Sequence, residues 1–574
     1  MEYIKKLNYL LENRTKKRML FVLLIIIIGS ALELLGISIL LPIINLAVDT
    51  DHATDNFAYQ TVEKVFGTDG FEGTFIYLMV ITMVVYVVKN VYLAWMNAYN
   101  EQFANDVKRQ LAARLMKAYL KEPYVFFLNK NSSEIIRSVN NDTSNVFQVV
   151  NNLIMVLSLG LTSMTLVVYL AYTNLLLALT VSALLIVCVG SIFIGGKNIT
   201  RRWGQEVQRS NAQLIKYVQQ AFEGIKEIKI LNTEKYYEKQ YDKEYAHQSS
   251  LQLKSKLINV LPKYMIETVC VCGILAYLML CVVRKGDYKT LVAQLAIFAV
   301  AAFKLLPYVN SIYAYVNTVI FNRASIDLVY RDIKATENTS TDTDEADYSP
   351  LSFERCIEVN NVSFHYEKSD RNIVENVRLK IEKGQSVAFI GPSGQGKTTM
   401  ADIILGLLEP QSGEVTVDGV SIRESVRGWH DHIGYIPQFI YLSDESIRNN
   451  VAFGIEKEKI DDERVWKAIE EAQLSDFVKK LDNGLDTIVG ERGTKLSGGQ
   501  RQRIGIARAL YRNPDFLVFD EATSALDNET EREVMASINA LHGTKTMLII
   551  AHRLSTIEKC DVVYKIEDKQ VSIV

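Results

Sequence analysis

Gly391-Pro-Ser-Gly-Gln-Gly-Lys397-Thr398 is a P-loop, and the apolar run 386–390 leads directly into it. That run predicts a buried strand, and residues 397–408 predict a helix. A strand–loop–helix context is what this motif needs, because glycines let backbone N–H groups close around phosphates while the helix N-terminus adds partial positive charge. The C-terminal half is therefore expected to be an α/β P-loop domain that binds a nucleotide.

Two carboxylates at the end of a second strand complete the expected chemistry. Residues 516–519 are apolar and are followed by Asp520 and Glu521. Phosphoryl transfer needs a carboxylate for Mg²⁺ and a group that positions the attacking water. We assign the first role to Asp520 and the second to Glu521, with Lys397 bridging the β- and γ-phosphates and Thr398 ligating Mg²⁺.

A second motif, Leu496-Ser-Gly-Gly-Gln500, makes the interpretation specific. In this order, with Asp520-Glu521 and His552 after it, the set resembles the ATP-binding cassette. Over Met1–Val574 the chain resembles a half-transporter of the ATP-binding cassette (ABC) exporter superfamily. The resemblance implies an all-α transmembrane bundle of six spans followed by an α/β P-loop ATPase domain of the ABC type.

The resemblance also implies a role for each motif residue. Tyr366 matches the aromatic that stacks on adenine, Gln438 the Q-loop glutamine that reaches Mg²⁺, and His552 the switch histidine that clamps the γ-phosphate. The region 524–527 matches the D-loop, and Glu491 lies in an exporter loop that meets the membrane domain. The remaining expected contacts to ATP, some of them serving the opposite subunit's nucleotide, are Gly391, Ser393, Gly394, Gly396, Thr399, Ser497, Gly498, Gly499 and Gln500.

The first half of the chain is expected to lie in a membrane. Of 574 residues, 49% are hydrophobic, and the net charge of −3 is too small to suggest a nucleic-acid partner. A helical span needs about 20 mostly apolar residues. The long apolar stretches predict six spans, at 19–48, 74–98, 143–196 (two spans joined at 172–174), 261–283 and 290–322.

Charges outside the spans orient them. The N-terminus is basic and predicts an interfacial helix, whereas residues 49–72 carry six acidic residues against one lysine. By the positive-inside rule the N-terminus is cytoplasmic and this loop is external, which places the ATPase domain in the cytoplasm. We predict a membrane domain at 1–335, an acidic linker at 336–350 and the cassette at 351–574. The six scattered cysteines are interpreted as reduced thiols.

The cytoplasmic loops 99–142 and 197–256 contain few helix breakers, so the spans are expected to continue beyond the bilayer. Pro123 interrupts the first loop and predicts a short transverse helix that touches another domain. Because the signature serves the other subunit's ATP, the chain must dimerise, with itself or with a second half-transporter. We expect a homodimer with two competent sites that use ATP and Mg²⁺.

Three lysines lie within predicted spans: Lys89, Lys263 and Lys304. A charge at the bilayer centre costs about 3 kcal/mol or more, so it indicates a functional site with a partner. A homodimer would place six such charges around one vestibule, which suits an anionic head group. The alternatives are that Lys263 pairs with Glu267 and that Lys89 snorkels to the interface.

The segment 223–229, the run Lys304-Leu-Leu-Pro307 and the single-cassette layout look most like the bacterial lipid-linked oligosaccharide flippases. This resemblance implies a location in a bacterial inner membrane, transport of a polyprenyl-pyrophosphate glycan to the outer leaflet, and a short helix in the external loop 49–73. Arginine is usual at the three lysine positions in that family, so this chain departs from its pattern there. The alternatives are an exporter of another lipid, drug or peptide, or an ATP-gated channel; a soluble cassette ATPase is excluded by the spans.

Overall fold

The computed structural model describes residues 2–48, 57–67, 71–173, 175–283, 288–339, 350–366, 369, 371–522, 528–551, 553 and 557–574. The chain forms two compact units. Unit 1 comprises Met1–Glu122 and Asn129–Ser340, and unit 2 comprises Pro123–Leu128 and Thr341–Val574. The short segment 123–128 therefore belongs to the C-terminal unit, although in the sequence it interrupts the N-terminal one.

Helices make up the described part of the chain before the cassette. Each of the six predicted spans coincides with a helix of 31 to 51 residues, although the sixth helix ends at Phe321, one residue before the predicted end of its span. Over the described residues, three segments are long and apolar enough to cross a membrane: Asn13–Gly36, Phe71–Lys121 and Ser132–Tyr172. The helices are α1 (Glu2–Leu10), α2 (Asn13–Val48), α3 (Phe57–Phe66), α4 (Phe71–Lys121), α5 (Tyr124–Asn129), α6 (Ser132–Arg137), α7 (Thr143–Thr173), α8 (Leu175–Glu223), α9 (Ile225–Leu231), α10 (Glu234–Val283), α11 (Tyr288–Phe321) and α12 (Arg323–Thr339).

Several local predictions are confirmed. The stretch 143–196 is divided between α7, which ends at Thr173, and α8, which begins at Leu175. Helix α3 lies within the loop 49–73, and α5 is the short helix expected after Pro123. Because α4, α8 and α10 extend far past their apolar stretches, the predicted helical extensions also form.

The N-terminal helix and the start of the predicted linker make contacts that the sequence did not indicate. Helix α1 forms, but it packs on α12, with Lys6 Nζ 2.8 Å from the Asp327 carboxylate. Helix α12 runs to Thr339, so the first four residues of the predicted linker are helical. Thr336 is 4% exposed and donates a hydrogen bond of 2.7 Å to the Glu122 carboxylate, which explains why the helix continues despite a polar sequence.

Close helix contacts in unit 1 depend on a small residue and on a buried acid. A Cβ on Gly204 of α8 would lie 1.9 Å from the carbonyl oxygen of Phe321, so only glycine permits this approach.

Asp142 ends a π-helical turn, Ser138–Asp142, and is fully buried. Its carboxylate accepts hydrogen bonds from Gln208 of α8 at 2.9 Å and from Ser325 of α12 at 3.0 Å. These bonds satisfy a group that burial alone would make costly.

Unit 2 contains two sheets over its described residues. The strands are β1 (Cys356–Phe364), β2 (Val374–Glu382), β3 (Ser386–Ile390), β4 (Ser412–Val417), β5 (Val420–Ser421), β6 (Ile433–Ile436), β7 (Phe516–Asp520), β8 (Thr546–Ile550), β9 (Val562–Glu567) and β10 (Gln570–Ile573). One sheet has the order β2-β1-β4-β5 and is antiparallel. The other has the order β10-β9-β3-β8-β7-β6, in which only β10 is antiparallel to its neighbour. The helices are α13 (Lys397–Ile404), α14 (Val426–His430), α15 (Ile447–Val451), α16 (Asp462–Glu471), α17 (Ser475–Lys479), α18 (Gly498–Tyr511) and α19 (Asn528–Ala540).

The parallel sheet positions the site. Strands β7 and β8 are buried along their whole length, as expected for central parallel strands covered on both faces. Strand β8 lies between β3 and β7, so the carboxyl ends of all three meet at one edge. The P-loop follows β3 and the two carboxylates end β7, so the α/β P-loop fold brings them together as predicted.

Candidate functional site

The P-loop backbone adopts conformations that glycine favours. Gly391, Gly394 and Gly396 have φ values of +143°, +81° and +95°. A Cβ on Gly391 would lie 2.1 Å from the carbonyl oxygen of Ile566, whereas a Cβ on Gly394 would meet no atom within 4 Å. The loop is therefore tight against β9 on one side and open on another, which is what close approach of a phosphate to its N–H groups requires.

Lys397 is held over this loop. Its ammonium donates hydrogen bonds to the carbonyl oxygens of Gly391 at 2.9 Å and Pro392 at 3.1 Å. The side chain is 5% exposed, and burial lowers its pKa, while the Glu521 and Asp520 carboxylates act in the opposite direction. A partly desolvated ammonium next to an open backbone cradle suits a phosphate group.

Thr398 and Asp520 supply the oxygen ligands that Mg²⁺ prefers. The Thr398 hydroxyl lies 3.4 Å from Oδ1 of Asp520, and the Tyr435 hydroxyl lies 3.4 Å from Oδ2. Burial raises the pKa of Asp520, and the neighbouring Glu521 raises it further. Two carboxylates and a hydroxyl converging in a desolvated site fit a divalent cation, which would lower the cost of both negative charges.

Glu521 is strained and oriented. Its φ is +47°, in the left-handed region that non-glycine residues rarely adopt at a cost of about 1–3 kcal/mol. Its backbone N–H donates to the carbonyl oxygen of Ile550 at 3.1 Å, and its carboxylate accepts a hydrogen bond of 2.7 Å from the Gln438 amide. The structure therefore brings together the two residues predicted to act on the attacking water and the Mg²⁺ ion.

Tyr366 lies beside the start of the P-loop helix. Its hydroxyl is 3.2 Å from the hydroxyl of Thr399, and its ring packs edge-on to Phe364 with centroids 5.1 Å apart. The predicted adenine-stacking residue thus belongs to the same site as the phosphate loop.

The signature begins a helix and caps it. Ser497 Oγ accepts from the backbone N–H of Gln500 at 3.3 Å, and the Gln500 side chain accepts from the backbone N–H of Ser497 at 2.9 Å. This capping box fixes the N-terminus of α18, at which Gly498 lies half-buried and Gly499 buried. A helix N-terminus of this kind favours an anion, in agreement with the predicted contact to a γ-phosphate.

Some predicted residues lie outside the described part of the chain. These are His552, the D-loop region 524–527 and the side chain of Lys304, whose backbone belongs to α11.

The other two lysines within predicted spans, Lys89 and Lys263, differ from each other. Lys89 is 2% exposed, and its ammonium lies 2.9 Å from the Glu33 carboxylate, so it neither snorkels nor faces an open surface in this conformation.

Lys263 on α10 is exposed. Its ammonium lies 5.7 Å from the centre of the Tyr264 ring, and the proposed pair with Glu267 is not formed among the described residues. The partner of Lys89 was visible in the sequence as the one charged residue of the first apolar stretch, Glu33, but sequence spacing alone does not bring two helices together.

Sequence reasoning missed three groups that surround Asp520. Burial, and then the charge of Asp520, raise the pKa of Asp402 to about 6. Burial also raises the pKa of Tyr435 and of Tyr124, a residue of α5 within unit 2. Asp402 lies five residues after Lys397 on the P-loop helix, a position that carried no motif signal.

Comparisons with known proteins agree with this architecture. A family model described as "ABC transporter transmembrane region" matches residues 19–305, and one described as "ABC transporter" matches residues 374–524. A protein of Burkholderia pseudomallei named "ATP-dependent lipid A-core flippase" is 30% identical over 473 residues, which is 82% of this chain and 78% of the relative. The protein of the same name from Escherichia coli K12 is 43% identical over 213 residues, 37% of this chain and 36% of that one.

A solved structure has the same fold. It is titled "Structure of a bacterial Atm1-family ABC exporter with ATP bound", and it covers 98% of this chain and 95% of its own with a TM-score of 0.78. At 23% sequence identity this likeness concerns the fold alone. The family matches cover both the helical region and the P-loop domain.

Proposed function

This chain belongs to the ABC transporter family, and we propose that it flips a polyprenyl-pyrophosphate-linked oligosaccharide from the cytoplasmic to the outer leaflet. As an ABC exporter with a transmembrane region and an ATPase domain, it couples ATP hydrolysis to transport across a membrane. The identity of the lipid is the part that we propose. A bacterial inner membrane with the ATPase domain in the cytoplasm is the location that fits this role.

Two considerations support a lipid substrate with an anionic head group. Relatives that span most of this chain carry the name lipid A-core flippase, which favours a lipid with a saccharide head. The observation that carries the anionic part is Lys263, an exposed cation within the apolar region of α10. Such a charge is stabilised when it meets an anion, and a pyrophosphate supplies one. Lys304 on α11 is proposed as its companion, whereas Lys89 is already neutralised by Glu33.

We assign a role to each residue of the ATP site. Tyr366 would contact the adenine, and the P-loop from Gly391 to Thr399 would hold the phosphates. Thr398, Asp520 and Gln438 would hold Mg²⁺, which would supply charge neutralisation at the phosphates. Glu521 positions the attacking water, and His552 is assigned to the γ-phosphate. Because Gln438 donates to the Glu521 carboxylate, it fixes that carboxylate's orientation. The signature, Ser497 to Gln500, serves the ATP of the second copy in a homodimer.

The test is ATP-dependent translocation in proteoliposomes. A fluorescent polyprenyl-pyrophosphate oligosaccharide is incorporated, and its exposure on each leaflet is followed with the active chain and with Glu521→Gln as the blank. Movement that requires ATP and the active chain supports the proposal. If ATP is hydrolysed while this lipid stays in place, the transporter remains and the proposed substrate is wrong.

A second substrate is favoured by the names of the relatives. A lipid A-type glycolipid has phosphates on its saccharide head and would meet the same lysines. The same vesicles loaded with labelled lipid A-core therefore form the parallel arm. Lys263→Gln is expected to slow whichever lipid moves by about tenfold while basal ATP hydrolysis continues, because one charge-assisted contact to phosphate is removed.

A further inference from the structure

Three side chains from three predicted spans meet inside unit 1. The Glu33 carboxylate of α2 forms an ion pair with the Lys89 ammonium of α4 at 2.9 Å and accepts a hydrogen bond of 2.7 Å from the Tyr308 hydroxyl of α11. Glu33 and Lys89 are 4% and 2% exposed, and Tyr308 is half-buried. One carboxylate therefore contacts an ionic partner on one neighbouring helix and a neutral partner on another.

The surroundings are shaped for the lysine. A Cβ on Gly36, one turn after Glu33, would lie 3.1 Å from Cδ of Lys89, so the absent side chain leaves room for the lysine stem. The ring of Tyr86 lies over the ammonium, 4.5 Å from it, in a cation–π arrangement. Gly36 and Tyr86 thus enclose the Lys89 side chain from two sides, which indicates that it stays next to Glu33 and does not move to an open surface.

The two contacts of Glu33 differ in what their loss would leave behind. Separating Lys89 from Glu33 would pull two opposite charges apart in a low-dielectric interior, which is strongly unfavourable. Separating Tyr308 from Glu33 would release a neutral hydroxyl, while Lys89 continues to neutralise the carboxylate. The tyrosine contact is therefore the one that can open and close during movement of the helices.

Helix α11 is also weakened beside that contact. Pro307 precedes Tyr308 within the helix and has no N–H, so one backbone hydrogen bond is missing there. Helices bend most easily at such positions. A point of bending thus lies next to the Tyr308 hydroxyl, which connects α11 to the Glu33 carboxylate.

We propose that Tyr308 is a positioning residue for transport: its bond to Glu33 opens and closes as α11 moves, while the Glu33–Lys89 pair holds α2 and α4 together throughout. The proposal rests on the proposed function only in that ATP drives the movement of the helices. It does not depend on which lipid is carried.

The test follows closure of the cassettes in the full-length homodimer without any lipid substrate. The six native cysteines are replaced, a spin label is placed at Glu458, and the background carries Glu521→Gln so that ATP is not consumed. The distance between the two labels is measured by pulsed electron resonance over a range of ATP concentrations. Tyr308→Phe is expected to move the midpoint by about tenfold, since a hydrogen bond to a charged group is present in only one of the two states.

Tyr313→Phe is the matched control, because Tyr313 lies on the same helix, is 3% exposed and makes no hydrogen bond among the described residues. An unchanged midpoint for Tyr308→Phe, or an equal shift for Tyr313→Phe, would overturn the proposal. A failure of oligosaccharide translocation leaves this result untouched, so the two proposals fail separately.

A second set of variants tests the permanent pair. Lys89→Met removes the cation that lies 2.9 Å from the Glu33 carboxylate and is expected to reduce the yield of folded protein by about tenfold. Adding Glu33→Gln removes the remaining charge and is expected to restore the yield to within about twofold. Wild-type yield for Lys89→Met alone, or no recovery in the double variant, would contradict a pair that is held throughout.

Discussion

Glu521 shows how one residue combines strain with orientation. It follows the last residue of β7, where the backbone turns into the left-handed region, and its carboxylate is held by Gln438 at 2.7 Å. A strained conformation persists only where its surroundings fix it, and here the bond from its N–H to Ile550 contributes to that. The carboxylate is thus preorganised at the edge of the sheet where the P-loop begins.

Glu521→Gln should lower ATP turnover by about 10³-fold, because the amide has the same shape but no charge with which to activate water. ATP affinity should stay within a few-fold of wild type, since the P-loop is unchanged. Steady-state hydrolysis and binding of labelled ATP measure the two quantities. Glu558→Gln, at an exposed carboxylate of the same domain, serves as the control. Near-normal turnover in the first variant would remove Glu521 from its assigned role.

Asp402 gives the cassette a stability that depends on pH. Burial and the charge of Asp520 raise its pKa from 3.8 to about 6 in the folded protein. Between these values the folded state binds more protons than the unfolded state, so this contribution to stability is greatest below pH 4 and is lost as pH rises through 6. Above pH 6 the ionised carboxylate remains a constant cost.

Asp402→Asn should therefore stabilise the nucleotide-free cassette at pH 7.5 by about 1–2 kcal/mol, a value reduced for partial solvent screening. The gain should vanish near pH 4, where the native carboxyl is already neutral. Thermal unfolding of the full chain at several pH values measures this, with Asp444→Asn as an exposed control. A gain that is equal at both pH values would mean that the charge of Asp402 is not its cause.

At the scale of the element, one face of α18 connects the signature to the Q-loop. The Gln502 amide lies 3.4 Å from the carbonyl oxygen of Gln438, and a Cβ on Gly505 would lie 2.5 Å from the Ile440 side chain. Gln502 and Gly505 are three residues apart on the helix. Arg508, a further three residues on, contacts the same segment through the carbonyl oxygen of Tyr441. Helix α18 and the segment 438–441 should therefore move as one body.

Arg508 connects helix α18 to two neighbouring segments through hydrogen bonds of its guanidinium. Its guanidinium donates to the carbonyl oxygens of Asn450 at 2.8 Å and Tyr441 at 2.7 Å, and lies 4.6 Å from the Phe453 ring. Burial lowers its pKa to about 10. Arg508→Lys keeps the charge but lacks the planar fork, so the carbonyl groups of buried Asn450 and of Tyr441 lose their donor at a cost of about 2–4 kcal/mol.

Scanning calorimetry of the full chain should show the cassette transition about 5–10 °C lower in Arg508→Lys. Arg512→Lys changes an exposed arginine at the end of the same helix and should leave the transition where it is. Equal transitions in the two variants would show that the guanidinium bonds contribute little to stability.

The elements differ in how far the sequence predicts them. Helix lengths, the division at residue 174 and the short helix after Pro123 follow from local signals, because apolar periodicity and proline act within a few residues. The ATP site is predictable for the same reason, since its motifs lie next to their strands. The pair of Lys89 with Glu33 depends on two helices meeting and carries no local signal. The helical start of the predicted linker likewise depends on the contact of Thr336 with a distant residue, Glu122.

At the scale of the whole molecule, the chain carries one P-loop and one signature, and the homodimer is the proposed arrangement that completes each site. Ser497 is fixed by its capping box at the N-terminus of α18, so residues of its own chain set its orientation there. In a head-to-tail dimer each closed site takes its P-loop from one copy and its signature from the other. Defects in these two motifs should then combine differently depending on which copy carries them.

We expect two inactive variants to restore activity when they are paired. Lys397→Met removes the phosphate-binding ammonium, and Ser497→Arg places a bulky side chain at the start of α18, so each homodimer has two defective sites. A mixed dimer, purified through a different tag on each copy, has one site with both defects and one with none, because the P-loop and signature of the intact site come from different copies. ATP hydrolysis by the mixed dimer should therefore reach about half of the wild-type rate, if the two sites act independently, and at least about tenfold more than either homodimer. If each signature served its own chain's P-loop, both sites of the mixed dimer would carry one defect and hydrolysis would stay at the level of the homodimers.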